Sequence, residues 1–220
     1  MNGQSAPVLI VEDHSLLADS LATMLSAEGM TVAVADISSL EAFVADIDRR
    51  PPAVTLLDLD LGLPIDDGRS LIPWLVVARS AVLVVTGITD RPRIASAIEA
   101  GAVGYLSKSQ PFDSLVQKVR DAMAGLPVLS DEERHDLLTL LDDERRRTRR
   151  RLQPFERLSH REREVLAAIA DGASVDEIAA ESFVARSTVR TQVHAILTKL
   201  EATNQIEAVA MARKAGWLGR

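Results

Sequence analysis

The first 125 residues alternate between two hydrophobic periods. Short apolar runs, with the length and β-branched composition of strands buried on both faces, occur at 8–11, 31–35, 54–57, 81–85 and 104–106. Segments with apolar residues at helical spacing follow them, at 16–28, 39–49, 69–78, 91–100 and 112–124. Five alternations of strand and helix predict an α/β fold: a doubly wound, five-stranded parallel sheet with helices on both faces.

From residue 156 onward only the helical period remains, and it is clearest in the segment 187–200. Its apolar stripe consists of Val189, Val193, Ile196, Leu197 and Leu200. A different face carries Ser187, Arg190, Thr191, His194 and Thr198, none of which is acidic. Such a helix buries one side in a small domain and offers cationic and hydrogen-bonding groups to a groove, as a helix that reads DNA bases must.

The residues before this helix predict a helix-turn-helix. Ser174 and Glu177 have the spacing of a capping box at the start of a short helix that ends near Ser182. The interval 183–185 then turns the chain into the long helix, which would enter the major groove. The all-α domain predicted for 156–220 has four helices, of which the other two follow Ser159 and begin near Gln205.

The stretch 126–155 separates the two patterns, and we expect it to form a helical linker. Acidic residues at 131–133 stand where a helix start favours them. Two arginine triplets follow, at 145–147 and 149–151, and Pro154 is expected to stop the helix after a charged, mobile portion. Three interpretations of these arginines stay open: they bind DNA phosphates, they pack against the acidic first domain, or they are simply exposed to solvent. The predicted domains are 1–125 and 156–220, joined by the linker 126–155.

Composition and charge exclude several kinds of site and several partners. The 220 residues are 47% hydrophobic and include no cysteine, which excludes disulfides, thiolate catalysis and cysteine–zinc sites and suits a cytoplasmic location. No apolar run approaches the roughly 18 residues of a membrane span, so no membrane partner is expected. Residues 1–130 hold nine basic and sixteen acidic side chains, and residues 156–220 hold nine of each. The acidic first half is therefore not expected to contact nucleic acid.

Polar residues stand at the ends of four predicted strands. They are Glu12 with Asp13, then Asp58, Thr86 and Lys108. Because sites in doubly wound sheets lie beyond the carboxyl ends of the strands, we expect these side chains to converge on one rim. Three carboxylates share a site at neutral pH only with a cation, and oxygen ligands without cysteine suit Mg²⁺.

This rim has the parts needed to form and sense an aspartyl phosphate. A carboxylate beside a bound metal can accept a phosphoryl group. A lysine can neutralise the transferred charge, and a threonine hydroxyl can bind a phosphate oxygen. The neighbouring His14 has no second histidine nearby, and we interpret it as a loop residue rather than a metal ligand.

The motifs LIVEDH, LLDLDL, VVTG and GYLSK resemble the receiver domain of two-component response regulators, over roughly residues 6–125. The resemblance implies a flavodoxin-like sheet with Asp58 as the phosphoacceptor. The implied metal ligands are Glu12, Asp13, Asp58 and the backbone carbonyl of Asp60. The implied switch and phosphate-stabilising residues are Thr86, Tyr105 and Lys108, with Tyr105 as the rotating aromatic. One departure is the loop DLDLGLPIDDG, which is longer than the usual form.

The carboxyl-terminal part resembles the DNA-binding domain of NarL/LuxR-class regulators. The match rests on REREVL, on GAS at 172–174, on EIA at 177–179 and on TVR at 188–190. The resemblance implies that Arg190, Thr191 and His194 face base edges. It also implies that Ser187, Thr188 and Lys199 lie near phosphates.

We therefore expect a transcriptional response regulator controlled by phosphorylation. A sensor histidine kinase or a small acyl phosphate would phosphorylate Asp58 with Mg²⁺, changing domain contacts or dimerisation. An active homodimer would then bind an operator in double-stranded DNA, arranged as an inverted repeat. No enzymatic activity is expected beyond self-phosphorylation and autodephosphorylation. Two alternatives stay open: a receiver-like regulator independent of phosphate, and a Mg²⁺-dependent phosphohydrolase that uses an aspartyl phosphate.

Overall fold

The computed structural model describes residues 7–87 and 90–218, and it divides the chain into two compact units, Met1–Asp142 and Asp143–Arg220. The first unit contains, in chain order, β1 (Val8–Val11), α1 (Ser15–Ala27), β2 (Val32–Val34), α2 (Leu40–Arg49), β3 (Val54–Leu57), β4 (Asp60–Gly62), β5 (Asp66–Asp67), α3 (Ile72–Val77), β6 (Ala81–Thr86), α4 (Arg91–Glu99), β7 (Gly104–Ser107) and α5 (Phe112–Met123). A five-stranded sheet has the order β2-β1-β3-β6-β7, and every pairing in it is parallel. This confirms the predicted doubly wound, flavodoxin-like sheet.

The central strands are buried on both faces because helices cover the sheet from two sides. Every residue of β1 and of β3 is buried, as expected for apolar runs without alternation. One hydrophobic cluster joins the sheet to α2, α3 and α4, and includes the fully buried Phe43 and Leu75. A second cluster joins the other face to α1 and α5, through Leu25 and Val119 among others. The two clusters fix the strand ends relative to one another.

The loop after β3 contains two short strands that the sequence does not predict. Strands β4 and β5 pair antiparallel and form a small hairpin. The chain then returns to the sheet at Gly68, where an added Cβ would lie 2.0 Å from the carbonyl oxygen of Asp58. Only glycine allows this approach. The single helix predicted for 69–78 is a 3₁₀ turn, Gly68–Leu71, followed by α3, because Pro73 cannot donate the backbone hydrogen bond that would join them.

The predicted stop at Pro154 is wrong. Helix α6 (Asp131–Glu156) continues for two residues beyond this proline, and the arginine segment expected to be mobile is helical throughout. Pro154 withdraws one hydrogen bond from the last turn. Phe155, only 2% exposed, anchors that turn in the core of the second unit. Tertiary packing therefore outweighs the local preference.

The second unit adds four helices to the end of α6: α7 (His160–Ala170), α8 (Val175–Glu181), α9 (Arg186–Leu200) and α10 (Gln205–Ala215). Capping boxes open α7 and α8, at Ser159 with Glu162 and at Ser174 with Glu177. The predicted helix-turn-helix is confirmed as α8, a turn and α9. Within the described ranges, no helix is both long and apolar enough to cross a lipid bilayer.

Candidate functional site

Three of the expected site residues meet at the carboxyl edge of the parallel sheet. The ammonium of Lys108 lies 2.6 Å from Oε2 of Glu12 and 2.7 Å from Oδ2 of Asp58. Both carboxylates are buried, with Glu12 7% and Asp58 3% exposed. Thr86, the last residue of β6, is buried at the same edge. These residues are far apart in sequence and meet because parallel strands end side by side.

Lys108 neutralises part of the negative charge of the carboxylates at this edge. Burial disfavours the ammonium, but hydrogen bonds to Asp58 and Glu12 outweigh that cost and raise the pKa of Lys108 above its usual value. Lys108 is therefore protonated at neutral pH. It holds two carboxylates close together that would otherwise repel each other.

The acidic pair also binds His14, which the sequence predicts to be a loop residue rather than a metal ligand. The His14 Nδ1 atom lies 3.0 Å from Oε1 of Glu12 and 2.9 Å from Oδ1 of Asp13. The hydrogen bond with Glu12 and the charge of Asp13 raise the pKa of His14, although its side chain is exposed. Its position directly after the acidic pair was the only signal in the sequence.

The donor set at this edge fits a hard divalent cation such as Mg²⁺. Ligand atoms of Glu12, Asp13 and His14 lie within 4.8 Å of one another, and Glu12 shares Lys108 with Asp58. Carboxylate oxygens are the ligands that Mg²⁺ prefers. A Cβ added at Gly62 would lie 3.3 Å from Oδ2 of Asp13, so the hairpin backbone closes over this side of the cluster.

Asp60 lies on the hairpin next to this cluster, and its exposed side chain is bound by Arg93. The Arg93 guanidinium donates to Oδ1 of Asp60 at 2.8 Å and to the carbonyl oxygen of Leu59 at 3.1 Å. It also lies 3.8 Å from Oδ1 of Asp67. Arg93 belongs to the first turn of α4 and thereby ties this helix to the segment after Asp58. Sequence reasoning missed Arg93 because nothing local distinguishes it.

Tyr105 points to another partner. Its hydroxyl donates to Oε1 of Glu133, in α6, at 2.7 Å. This hydrogen bond, with partial burial, raises the pKa of the Tyr105 phenol. The expected switch aromatic is thus engaged by an acid that the sequence analysis did not single out.

The polar face of α9 is exposed, while its opposite face packs in the core. The exposed residues include Ser187, Thr188, Arg190, Thr191 and His194. The buried ones are Val189, Val193, Ile196 and Leu200, and Leu197 is half-buried. This single helix presents hydroxyl, imidazole and guanidinium groups together, which are groups that hydrogen-bond bases and phosphates.

Lys199 differs from the other residues expected to contact DNA. Its ammonium pairs with Glu162 of α7, at 2.6 Å from Oε2 and 2.8 Å from Oε1. Burial opposes ionisation of Glu162, but hydrogen bonds from Lys199 and Ser159 outweigh it and lower the pKa of Glu162. Lys199 therefore joins two helices of its own unit.

Each half of the chain matches a family of known proteins. The response regulator receiver domain family matches residues 8–120, and the luxR family of bacterial regulatory proteins matches residues 156–212. The transcriptional regulatory protein DesR of Bacillus subtilis is 29% identical over 210 residues, which cover 96% of this chain and 98% of DesR. A nitrate/nitrite response regulator protein homolog of Haemophilus influenzae is 30% identical over 206 residues, covering 93% of this chain and 94% of the homolog.

Among solved structures, a complex of the two-component response regulator RcsB with DNA covers 96% of this chain and 98% of its own. Its TM-score is 0.52 at 21% sequence identity, which supports the fold. The chain belongs to the two-component response regulators of the NarL/LuxR class, with a receiver domain followed by a LuxR-type DNA-binding domain.

Proposed function

We propose that this protein regulates transcription under the control of phosphorylation at Asp58 by a sensor histidine kinase. The observation that carries the proposal is the position of Asp58. Its buried carboxylate lies at the sheet edge, held with Glu12 by Lys108. In the same chain, α9 exposes a polar face suited to DNA.

The acidic residues would hold Mg²⁺ at this edge. Its ligands would be the carboxylates of Glu12, Asp13 and Asp58 and the backbone carbonyl of Asp60. Bound there, the cation would neutralise charge on an incoming phosphoryl group. An Asp58 carboxylate oxygen forms the new bond to phosphorus as the bond from phosphorus to the donor group breaks. Lys108, already beside Asp58, would pair with the phosphoryl oxygens.

Phosphorylation would then be transmitted to DNA binding. Thr86, buried at the end of β6, would donate to the phosphoryl group, and Tyr105 would change its position with it. The resulting change in domain contacts or dimerisation would bring two copies of α9 to an operator with inverted half-sites. Arg190, Thr191 and His194 would read bases, and Ser187 and Thr188 would bind phosphates.

Lys199 would have a mainly structural role, because its ammonium is paired with Glu162. The family assignment speaks against a phosphohydrolase, since its relatives are transcriptional regulators.

The phosphorylation step can be tested by incubating the full-length protein with acetyl phosphate and Mg²⁺. Wild type should incorporate phosphate, and Asp58→Asn should incorporate none, because the nucleophilic oxygen is lost. Asp66→Asn is the matched control: this exposed residue lies in the same loop with φ 63°, a conformation that asparagine adopts well. Equal incorporation by Asp58→Asn would remove the basis of the proposal.

The DNA-reading step can be tested with a duplex selected from a random-sequence pool by the phosphorylated protein. Arg190→Ala should weaken binding to that duplex by about 1–3 kcal/mol and relax its sequence preference. The control, Lys214→Ala, removes one positive charge from an exposed residue of α10, outside α9. An equal loss in both variants would show that Arg190 contributes no more than its charge.

A further inference from the structure

The carboxyl-terminal half of α6 carries six arginines within residues 145–151, all of them exposed. Arg146, Arg149 and Arg150 line one surface cleft together with Gln153 and Glu156, and we call these three arginines the arginine face. Arg149, Arg150 and Gln153 follow Arg146 by three, four and seven residues, which places them on one side of the helix. We propose that the arginine face binds DNA phosphates flanking the base pairs read by α9. This inference rests on the proposed DNA-binding function.

The arginine face is fixed to the DNA-binding unit. Helix α6 runs unbroken from these arginines to Glu156. Phe155 is 2% exposed and stacks on Trp217, with ring centroids 5.3 Å apart. At about 100° per residue, Phe155 lies on the opposite side of the helix from the arginine face. The anchored side therefore faces the core of the unit, and the arginines face outward.

The rest of this unit is short of the charge that DNA binding requires. Residues 156–220 hold nine basic and nine acidic side chains. Several of these cations are already paired within the unit: Lys199 with Glu162, Arg161 with Glu164, and Arg186 with Asp176. Phosphate neutralisation supplies most of the sequence-independent affinity for DNA. The six arginines within residues 145–151 of α6 would add positive charge to this half of the chain.

Charge complementarity also admits the acidic receiver unit as a partner, but DNA is favoured. Many receiver carboxylates are already bound to cations of their own unit. Asp46 pairs with Arg50, Asp60 with Arg93, Asp67 with Arg69, and Glu12 and Asp58 with Lys108. DNA offers a regular row of phosphates, and the arginine fork binds phosphate oxygens in pairs.

The test measures how binding of full-length protein to a mixed-sequence duplex of about 40 base pairs depends on salt. Each phosphate contact contributes about 0.9 to the slope of log K against log salt concentration. The double variant Arg146→Gln with Arg150→Gln should therefore lower the slope by about 1.8 per bound protomer. The control, Arg147→Gln with Arg151→Gln, removes the same charge with the same spacing. These side chains lie about 100° around the helix, where they contact Glu144 and Thr148.

The control pair should change the slope by less than half as much as the arginine-face pair. Equal losses in the two pairs would overturn the proposal, because they would reflect net charge alone. An unchanged slope in the first variant, or tighter DNA binding, would also overturn it, and tighter binding would identify the receiver as the partner. Helical circular dichroism checks that the glutamine variants fold. If Arg190→Ala still loses sequence preference while the arginine-face variant behaves as wild type, DNA reading by α9 stands and this inference fails.

Discussion

The charged groups at the sheet edge are buried and paired, whereas those on α9 are exposed. At the sheet edge, Glu12, Asp58 and Lys108 come from distant parts of the chain and are largely hidden from solvent. On α9, cationic and hydrogen-bonding groups such as Arg190 and His194 come from one short segment and are exposed. A buried site can hold charges in a fixed geometry only by pairing them. An exposed face needs no pairing and leaves its groups available to a partner.

Two lysines show the same contrast on a smaller scale. Lys108 binds two buried carboxylates from two strands, whereas Lys199 binds one carboxylate and joins two helices. Lys108 is 22% exposed in its side chain and Lys199 is 36% exposed, so solvent screens the second pair more strongly. Removing each lysine should therefore have a different cost.

The largest effect is expected for Lys108→Met. Without the ammonium, the buried carboxylates of Glu12 and Asp58 lose the cation that they share, and the free energy of unfolding of the first unit should fall by about 3 kcal/mol at neutral pH.

Urea unfolding can be followed for the first unit alone in a Trp217→Phe background, where Trp74 of α3 is the sole remaining tryptophan. Lys118→Met is the matched control, since among the described residues that ammonium contacts the Tyr105 carbonyl oxygen, at 3.2 Å, and the Tyr105 ring, and no carboxylate. If Lys108→Met has the same free energy of unfolding as Lys118→Met, the comparison between the two lysines is wrong. The burial of Glu12 and Asp58 would then not depend on Lys108.

A smaller effect is expected for Lys199→Met. The free energy of unfolding of the second unit should fall by about 1–2 kcal/mol, because Glu162 keeps its bond from the Ser159 amide. The folded-state pKa of Glu162 lies below its ordinary 4.5, so its stabilisation is present above that pH and is lost as the pH falls through the folded pKa. In the variant, the free energy of unfolding should fall by less over this pH range.

Trp217 fluorescence in a Trp74→Phe background reports this unit, and the exposed Lys214→Met is the matched control. The salt dependence of DNA binding should stay as in wild type. A slope lowered by about 0.9 per protomer would assign Lys199 to a phosphate instead.

Local signals explain what could be predicted from the sequence. The capping boxes at Ser159 and Ser174 need only a spacing of three residues. The buried and exposed faces of α9 follow from the helical period. The convergence of Glu12, Asp58 and Lys108 at one edge follows from the common direction of parallel strands.

Contacts between distant elements could not be predicted. Arg93 and Asp60 are 33 residues apart and meet because α4 packs beside the hairpin, which no periodicity reveals. Strands of two and three residues, as in that hairpin, are too short to show alternation. The local preference of proline predicts a helix end at Pro154, whereas burial of Phe155 keeps this last turn helical.

The smallest effect is expected at Tyr105, which belongs neither to the buried sheet edge nor to the exposed face of α9. Its side chain is half-buried, and its hydroxyl is paired with the carboxylate of Glu133. The bond to Glu133 raises the pKa of the phenol, since a nearby carboxylate disfavours the phenolate. Tyr105 is the single tyrosine of the chain, so ultraviolet difference absorbance during an alkaline titration reports this residue alone. Glu133→Gln should shift the midpoint down towards the ordinary 10.0 and cost about 1 kcal/mol of stability. Glu132→Gln, one residue earlier and exposed, should leave the midpoint in place. A midpoint that responds equally to both changes would mean that general negative charge, rather than the bond at 2.7 Å, sets the acidity of Tyr105.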